Sequence, residues 1–364
     1  MALSVGIVGL PNVGKSTVFN ALTAGKAEAA NYPFCTIDPN VGMVPVPDPR
    51  LEIIRDFIPT QKLVPAIVEI VDIAGLVAGA SKGEGLGNKF LANIRETNAI
   101  LMMVRCFEDG NVVHVSGSVD PMRDIDIIDL ELVLADLEGA EKRVKKVIGA
   151  AKTGSAEARV ELDLAERLVA HLQDGKPGRS FPGTPEEKAE LGQWNLLTTK
   201  PVLYCCNVGE NDLPGGNAWS DQVKARAERE SAGVVVLCGK IEAELAEVSE
   251  SQRGELLGAY GLEEPALAVL ARECYRLLGL HSFFTAGEKE VRAWTVRKGA
   301  LAPEAAGVIH TDFEKGFIRA QIYGLADLRE YRSEAALKSA GKLRIEGKTY
   351  LIQDGDITHF LFNV

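Results

Sequence analysis

Short apolar runs rich in β-branched residues alternate along the chain with segments in which apolar residues recur every three or four positions. The first pattern predicts buried strands, and the second predicts helices that cover them. Such an alternation is typical of a mostly parallel sheet with helices on its faces. The predicted strands of this sheet are Leu3–Val8, Ala66–Val71, Ile100–Val104, Val202–Cys206 and Val234–Leu237.

The stretch from residue 124 to residue 200 is too long to be a simple crossover between two strands. Apolar residues are spaced three and four apart from Leu130 to Val147, and again from Ala158 to Leu172. Because only the short break Lys152–Ser155 separates the two runs, the pattern predicts an antiparallel helical hairpin that projects as a coiled-coil arm. Packing of both helices directly on the sheet is the alternative. A capping-box pattern at Thr184–Glu187 predicts the start of another helix.

After Leu280 the pattern changes to short strands separated by turns, which is typical of a compact α+β domain. We therefore predict a nucleotide-binding domain over residues 1–123 and 201–280, a helical insertion over residues 124–200 and a C-terminal domain over residues 281–364. The predicted elements of the last domain are strands at Glu290–Val296, Gly316–Tyr323, Leu343–Glu346 and Tyr350–Gln353, and one helical turn at Pro303–Ala306.

Composition and charge restrict the class of protein. The apolar content of 46% and charged content of 25% are ordinary for a globular chain. No apolar stretch approaches the roughly 18–20 residues that span a bilayer, and no signal peptide is recognisable, so we expect a cytoplasmic protein without a membrane partner. The net charge of −11 argues against a general nucleic-acid coat, and we expect no DNA partner. Residues 281–364 hold 12 Lys+Arg against 11 Asp+Glu, so an RNA-facing surface is expected there. The six cysteines show no CxxC pair, which indicates a reduced protein.

The motif Gly9–Ser16 follows the first predicted strand and precedes a helical pattern at Thr17–Ala24, which is the context of a P-loop. Its glycines allow backbone N–H groups to face phosphate oxygens. The Lys15 ammonium is expected between the β- and γ-phosphates, and the Ser16 hydroxyl is expected to ligate Mg²⁺. The predicted phosphate-binding residues are Asn12, Val13, Gly14, Lys15, Ser16 and Thr17.

A second motif, at the end of the next predicted strand, contributes to the same site. Asp72 can reach Mg²⁺ through a water molecule, and the Gly75 N–H can meet the γ-phosphate. Thr36, in the loop between the two motifs, is a further candidate Mg²⁺ ligand when the γ-phosphate is present. Leu76 stands where many switch-type hydrolases carry a glutamine that orients the attacking water, so unassisted turnover should be slow.

Another group must then hold the water, and His114, in a polar loop after the third strand, is the catalytic candidate beside Lys15. The alternative is that His114 is an ordinary hydrogen-bonded loop histidine. Asn12 could join nucleotide oxygens around a K⁺ ion and so neutralise charge in the transition state.

The residues expected to face the base depart from the guanine-specific pattern N-K-x-D, because the chain has Asn207-Val208-Gly209-Glu210. Val208 lacks the lysine stem that lies over the base. Glu210 is longer than aspartate, which shifts the carboxylate that pairs with guanine. Cys238 and Gly239 stand where Ser-Ala is usual, and Gly239 keeps a small residue beside the base. Guanine preference is therefore expected to be weakened.

Together these motifs resemble the Obg-like ATPase family, the YchF proteins, over essentially the whole chain. The resemblance implies a GTPase-like doubly wound α/β domain, an inserted coiled-coil arm and a C-terminal α+β ubiquitin-like domain of the TGS type. The segments that carry it are Gly9–Ser16, Asn31–Phe34, Asp72–Leu76, Asn207–Glu210, His310–Ala320 and Gln353–Val364.

The resemblance further implies that ATP is preferred over GTP and that the protein associates with ribosomes, for which we expect the arm and the TGS domain to contact a subunit or its rRNA. It implies that Asn207 and the neighbouring backbone contact adenine, and His114 matches the candidate catalytic histidine of the family. The leading hypothesis is a Mg²⁺-dependent, slow ATPase switch that binds ribosomes. Two alternatives are a GTP-preferring translation-associated GTPase and a nucleotide-gated binding module with incidental hydrolysis.

Overall fold

The computed structural model describes residues 3–24, 40–73 and 86–363. The chain divides into two compact units, one formed by residues 1–42 and 69–270 and the other by residues 43–68 and 271–364. Residues 124–200, which were predicted to form an insertion, fall within the first unit. The predicted site residues Thr36 and Gly75 lie outside the described residues, as does Leu76.

Within the described ranges the first sheet has six strands, and the predicted strands are all found in it. They are β1 (Ser4–Val8), β2 (Val41–Val46), β4 (Ala66–Asp72), β5 (Ala99–Cys106), β6 (Val202–Val208) and β7 (Gly233–Leu237). Their order is β2-β4-β1-β5-β6-β7. The pairs that β1 makes with β4 and β5, and that β6 makes with β5 and β7, are parallel. Since β1, β5 and β6 are buried along their whole length, they read as continuous apolar runs rather than alternating ones.

The helices of the described residues separate these strands and those of the second sheet. No helix among them is both long enough and apolar enough to cross a membrane. They are α1 (Lys15–Thr23), α2 (Arg50–Phe57), α3 (Leu86–Glu96), α4 (Pro121–Lys152), α5 (Ala156–Gln173), α6 (Pro185–Gln193), α7 (Ala218–Glu230), α8 (Gly239–Glu247), α9 (Glu250–Ala259), α10 (Ala266–Leu277), α11 (Ala302–Ile309), α12 (Thr311–Lys315), α13 (Leu325–Tyr331) and α14 (Glu334–Ser339).

The helical hairpin predicted from the apolar spacing is confirmed, because α4 and α5 pack against each other along a buried seam. Gly154 makes the tight reversal with a positive φ of 105°, and Ser155 caps α5 by accepting the Ala158 N–H. The Arg143 guanidinium bonds Glu161 across the pair at 2.7 Å. The capping box at Thr184, which opens α6, is also confirmed. The apolar residues shared by the hairpin and the segment after it are Val133, Ala140, Leu164, Leu168, Leu172, Phe181, Leu191 and Leu196.

A buried carboxylate joins α4 to the segment that leads into β6. Asp136, which is 2% exposed, accepts the Leu197 N–H at 2.8 Å, the Thr198 N–H at 2.8 Å and the Thr198 hydroxyl at 2.6 Å. Burial raises the pKa of the Asp136 carboxyl, although these hydrogen bonds oppose the shift. Asp136 therefore ties the helical hairpin to the segment that enters a central strand.

The strands of the second sheet among the described residues are β3 (Leu63–Val64), β8 (Leu280–Ala286), β9 (Val291–Arg297), β10 (Phe317–Tyr323), β11 (Arg344–Glu346) and β12 (Ile357–Phe362). The sheet has the order β11-β10-β12-β8-β9-β3. Its core lies between the sheet and α11, where Ala302, Ala305 and Ala306 meet Phe283 and Phe360. Small residues on this face of α11 allow the helix to approach the strands closely.

The predicted strand at Tyr350–Gln353 is wrong. This segment makes a single antiparallel bridge with residues 300–302. The bridge has two hydrogen bonds, from the Ala302 N–H to the Tyr350 carbonyl and from the Ile352 N–H to the Ala300 carbonyl. The chain then turns, with Gly355 at a φ of 92°, before β12 begins. The helical turn predicted at Pro303–Ala306 is part of the longer α11, and α1 begins two residues before its predicted start.

We expect Asp136→Ala to lower the free energy of unfolding by about 2–4 kcal/mol, because buried N–H and hydroxyl donors lose their acceptor. Urea unfolding followed by circular dichroism measures this change. Glu138, on the same helix and exposed to solvent, provides the matched control. Glu138→Ala should alter stability by no more than about 0.5 kcal/mol. Equal effects of the two substitutions would contradict the assigned role of Asp136.

Candidate nucleotide site

The loop between β1 and α1 has the backbone shape that the P-loop motif predicts. Gly14 adopts a φ of 99° and Asn12 a φ of 63°, both in the left-handed region. A Cβ at Gly9 would lie 2.7 Å from the Met103 carbonyl oxygen, and a Cβ at Gly14 would overlap the Asn207 amide. Glycine is therefore required at both positions by close approach of neighbouring strands, and at Gly14 also by its backbone conformation.

The Lys15 ammonium is held inside the loop. It donates to the carbonyl oxygens of Gly9 at 2.9 Å and Leu10 at 2.8 Å, and the side chain is largely buried. Burial lowers the pKa of Lys15, whereas the charge of Asp72 opposes that shift. Burial likewise raises the pKa of Asp72, and the charge of Lys15 opposes it. Lys15 and Asp72 thus carry opposite charges that stabilise each other, because both side chains are partly removed from water.

Ser16 and Thr17 are exposed in the first turn of α1, and Asp72 is the last residue of β4. The N-terminus of a helix favours anions, since its first N–H groups lack partners within the helix. Within the part of the chain that the structure describes, no group of three or more His, Cys, Asp or Glu side chains is placed to hold a metal ion. Of the predicted Mg²⁺ ligands, Ser16 and Asp72 lie among the described residues.

The side chain of Asn207, at the end of β6, connects two loops. Its Nδ2 donates to the Val13 carbonyl at 3.0 Å, and its Oδ1 accepts the Gly239 N–H at 2.9 Å. Asn207 is 6% exposed, so both polar atoms of the amide are satisfied within the protein. The structure therefore places Asn207 as a bridge between the P-loop and the loop that precedes α8.

Two adjoining cavities of about 500 Å³ and 670 Å³ lie beside this bridge. The first extends along the P-loop, and the second extends past the end of β6. Phe107, Asp109, Asn207 and Lys240 line both. The residues predicted from sequence that line one or both cavities are Asn12, Gly14, Thr17, Asn207, Val208, Glu210, Cys238 and Gly239.

Several lining residues were missed by the sequence argument. Phe107 and Asp109 follow the end of β5, and the position directly after a parallel strand was the available signal for them. Trp219 lies in the first turn of α7 and has no such signal. Lys240 pairs with Glu210 at 2.5 Å, and this hydrogen bond raises the pKa of Lys240.

His114 lies in the loop after β5 but does not line either cavity. The residue is 9% exposed, and its two ring nitrogens contact Asp124 Oδ2 at 2.8 Å and the Ser116 N–H at 3.0 Å. The loop itself touches the P-loop, because Asn12 Nδ2 donates to the Val113 carbonyl at 3.1 Å. The candidate catalytic histidine thus lies in a loop that contacts the P-loop in space, but its side chain is bound away from the cavities.

Comparison with known proteins gives two matching family models. The model described as a 50S ribosome-binding GTPase matches residues 4–148. The model of the YchF-GTPase C-terminal domain, described as a protein of unknown function, matches residues 280–363.

Whole-chain relatives are also found. The chain is 52% identical over 364 residues to a protein of Haemophilus ducreyi and 51% identical over 366 residues to one of Bacillus subtilis, and each alignment covers 100% of both chains. Both relatives are named ribosome-binding ATPase YchF. Among solved structures, the YchF GTPase of Schizosaccharomyces pombe is 37% identical with a TM-score of 0.89, covering 99% of this chain and 97% of that one.

We expect Asn207→Asp to raise the Kd for ATP and for GTP about tenfold or more. The carboxylate cannot donate to the Val13 carbonyl, so the P-loop loses the hydrogen bond that holds it beside the loop before α8. Titration with a fluorescent nucleotide analogue and displacement by each nucleotide measure the change. Gln222→Ala, at an exposed position of α7, is the control and should bind like the unmodified protein. Normal affinity in Asn207→Asp would show that the bridge does not shape the site.

Proposed function

Since the chain belongs to the YchF family, we propose that it is a nucleotide-operated switch that binds and hydrolyses ATP in preference to GTP. The observation that carries this proposal is the set of contacts made by the residues that would recognise guanine. Glu210 is paired with Lys240, and the amide of Asn207 makes one donor bond and one acceptor bond within the protein.

Base preference follows from competition for the Glu210 carboxylate. A guanine-specific site offers a free carboxylate to the N1 and N2 donors of the base, and a site whose acceptor is misplaced or occupied discriminates poorly for guanine. Here Lys240 already donates to that carboxylate. Adenine has no need of this acceptor. The Phe107 ring lines both cavities and supplies apolar surface on which a purine can lie. It would replace the lysine stem that is missing because residue 208 is valine.

The phosphates and the metal ion are assigned to the residues at the start of α1. Lys15 would exchange its two carbonyl acceptors for phosphate oxygens, which are stronger partners because they carry charge. A hydroxyl and a carboxylate are hard oxygen donors that suit Mg²⁺, so Ser16 and Asp72 fit this ion. In Asn12, Nδ2 is bonded to the Val113 carbonyl, which leaves Oδ1 as the oxygen that would join a K⁺ ion. Bound Mg²⁺ would neutralise charge that develops on the phosphates.

The water-positioning role is assigned to His114. The ring would have to leave its contacts with Asp124 and Ser116 before either nitrogen could meet a water molecule near the phosphates. Such a requirement is compatible with slow unassisted turnover. Partner binding is a natural means of promoting the rearrangement.

The ribosome is the proposed partner, since the whole-chain relatives are named for ribosome binding and one family model for 50S binding. We assign the contact with a subunit or its rRNA to the α4–α5 hairpin and to the C-terminal residues 281–364. A cytoplasmic location follows from this partner.

ATP should bind at least about tenfold more tightly than GTP, which is a difference of roughly 1.4 kcal/mol in binding free energy. Competition titrations with both nucleotides in Mg²⁺ buffer measure the ratio. Lys240→Ala frees Glu210 and should reduce the ratio by strengthening GTP binding. Lys188→Ala, at an exposed site on α6, should leave it unchanged. Equal or tighter binding of GTP by the unmodified protein would favour the translation GTPase hypothesis.

Single-turnover hydrolysis of ATP should become about tenfold or more faster when ribosomes are added, since partner binding supplies the missing ordering of the water. Lys15→Ala should bind no triphosphate and show no stimulation. Rapid-quench assays with and without ribosomes measure the rates. Nucleotide-dependent ribosome affinity without any stimulation would favour the binding-module hypothesis, and the absence of both effects would remove the ribosome from the proposal.

A further inference from the structure

The His114 ring is held by two hydrogen bonds that determine its protonation pattern. Nδ1 lies 3.0 Å from the Ser116 N–H, which can only donate, so Nδ1 is an acceptor without a proton. The neutral ring then carries its proton on Nε2 and donates it to Asp124 Oδ2 at 2.8 Å. In this arrangement neither nitrogen has a free lone pair or a free proton with which to hold a water molecule.

Asp124 is itself firmly placed. It is 3% exposed, and it lies in the first turn of α4, where its own N–H donates to the Asp120 carbonyl. Its other oxygen, Oδ1, accepts from Arg123 Nε at 3.3 Å and Nη2 at 3.2 Å. Arg123 also donates to the carbonyl and hydroxyl of Ser118. The acceptor of the histidine proton is therefore built into the start of the α4–α5 hairpin.

The loop that carries His114 is connected to the P-loop at its other side. Val113 directly precedes His114, and its carbonyl accepts a hydrogen bond from the side-chain Nδ2 of Asn12. Arg105, which is 2% exposed, holds the beginning of the loop by donating to the carbonyls of Phe107 and Val112. The His114 side chain therefore contacts the hairpin, whereas the carbonyl of the preceding residue, Val113, contacts the P-loop.

The side chains on either side of the histidine show that the loop is not simply folded into the core. Val113 is 76% exposed and Val115 is 53% exposed, although both are apolar, whereas the polar ring between them is buried. Burial of apolar side chains would favour the reverse arrangement. The hydrogen bond to Asp124 offsets the free-energy cost of exposing Val113 and Val115 while the His114 ring is buried.

We propose that Asp124 is a positioning residue that holds His114 in a withdrawn state, so that breaking this contact controls the rate of ATP hydrolysis. The proposal rests on the catalytic role of His114 given above. A change at the start of α4 that moves the Asp124 carboxylate releases the ring and lets it turn toward the P-loop. The hairpin thereby acts on the reaction without touching the nucleotide.

The test compares single-turnover ATP hydrolysis by the full chain carrying Asp124→Ala, His114→Ala or both. Loss of a charged hydrogen-bond acceptor should increase the population of released histidine about tenfold, so Asp124→Ala should hydrolyse ATP about three- to tenfold faster with an unchanged Kd for ATP. His114→Ala should be slower than the unmodified protein. In the double variant the acceleration should vanish, because no histidine remains to be released.

Asp124→Asn and Asp126→Ala serve as matched variants. The asparagine oxygen can still accept the Nε2 proton, so Asp124→Asn should fold and accelerate hydrolysis less than Asp124→Ala does. Asp126 lies on the same helix and pairs with Arg226 rather than with His114, so Asp126→Ala should keep the unmodified rate. The ¹⁵N shifts of the His114 ring should show the Nε2–H form in the unmodified protein and a mixture of forms in Asp124→Ala.

Two results would overturn the proposal while leaving a catalytic His114 intact. Slower hydrolysis in Asp124→Ala, as slow as in His114→Ala, would mean that Asp124 orients an active histidine. Acceleration that persists in the double variant would mean that Asp124 acts on another group. If His114→Ala alone leaves the rate unchanged, the proposed function of His114 fails, and the role of Asp124 fails with it.

Discussion

The buried amide of Asn207 joins the two loops on which the nucleotide site depends. One end of the amide holds the Val13 carbonyl of the P-loop, and the other holds the Gly239 N–H at the start of α8. This approach is possible only because Gly14 has no side chain, since a Cβ there would overlap the amide. The shape of the phosphate loop, the position of the loop before α8 and the cavity between them therefore follow from one side chain and one glycine.

The strand that carries Asn207 is also attached to the helical hairpin. Tyr204, three residues earlier in β6, donates to Glu230 at 2.8 Å, and burial raises the pKa of its hydroxyl. Glu230 accepts from Arg226, and Arg226 and Arg179 both bond Asp129 of α4. Because these charged groups are largely buried, breaking any one pair would leave an uncompensated partner, which makes the attachment rigid. The hairpin thus meets the nucleotide unit at the strand that positions Asn207 and, through Asp124, at the loop that carries His114.

These two attachments have different consequences. The network around Asp129 has many partners and supports a fixed connection, whereas the His114–Asp124 contact consists of one hydrogen bond to a ring flanked by exposed apolar residues. Both side chains of this second contact are buried, at 5% and 4% exposed, so the two attachments differ in the number of partners and not in burial. Under the proposed role of Asp124, the second attachment controls the release of His114, whereas the first preserves the site.

Local patterns predicted the central strands of the first sheet and the helical hairpin, but they did not predict β8 or β12 of the second sheet. The fully buried strands β1, β5 and β6 read as apolar runs, and the three-and-four spacing predicted the hairpin, because both signals depend only on neighbours along the chain. The failed strand at Tyr350–Gln353 shows the limit of such signals. Its composition suits a strand, but Gly355 turns the chain before a ladder can extend, and only the partner segment at residues 300–302 decides how many bonds form.

The candidate site divides in the same way. Consecutive residues are enough to predict a phosphate loop and its members, and to show that the guanine-reading lysine and aspartate are absent. Three further facts depend on folding: Lys240 pairs with Glu210, Phe107 lines the cavities, and His114 is bound to Asp124. Each of those facts joins segments that are separated along the chain. Side-chain partners of that kind are fixed by packing in three dimensions, which no spacing of residues along the chain records.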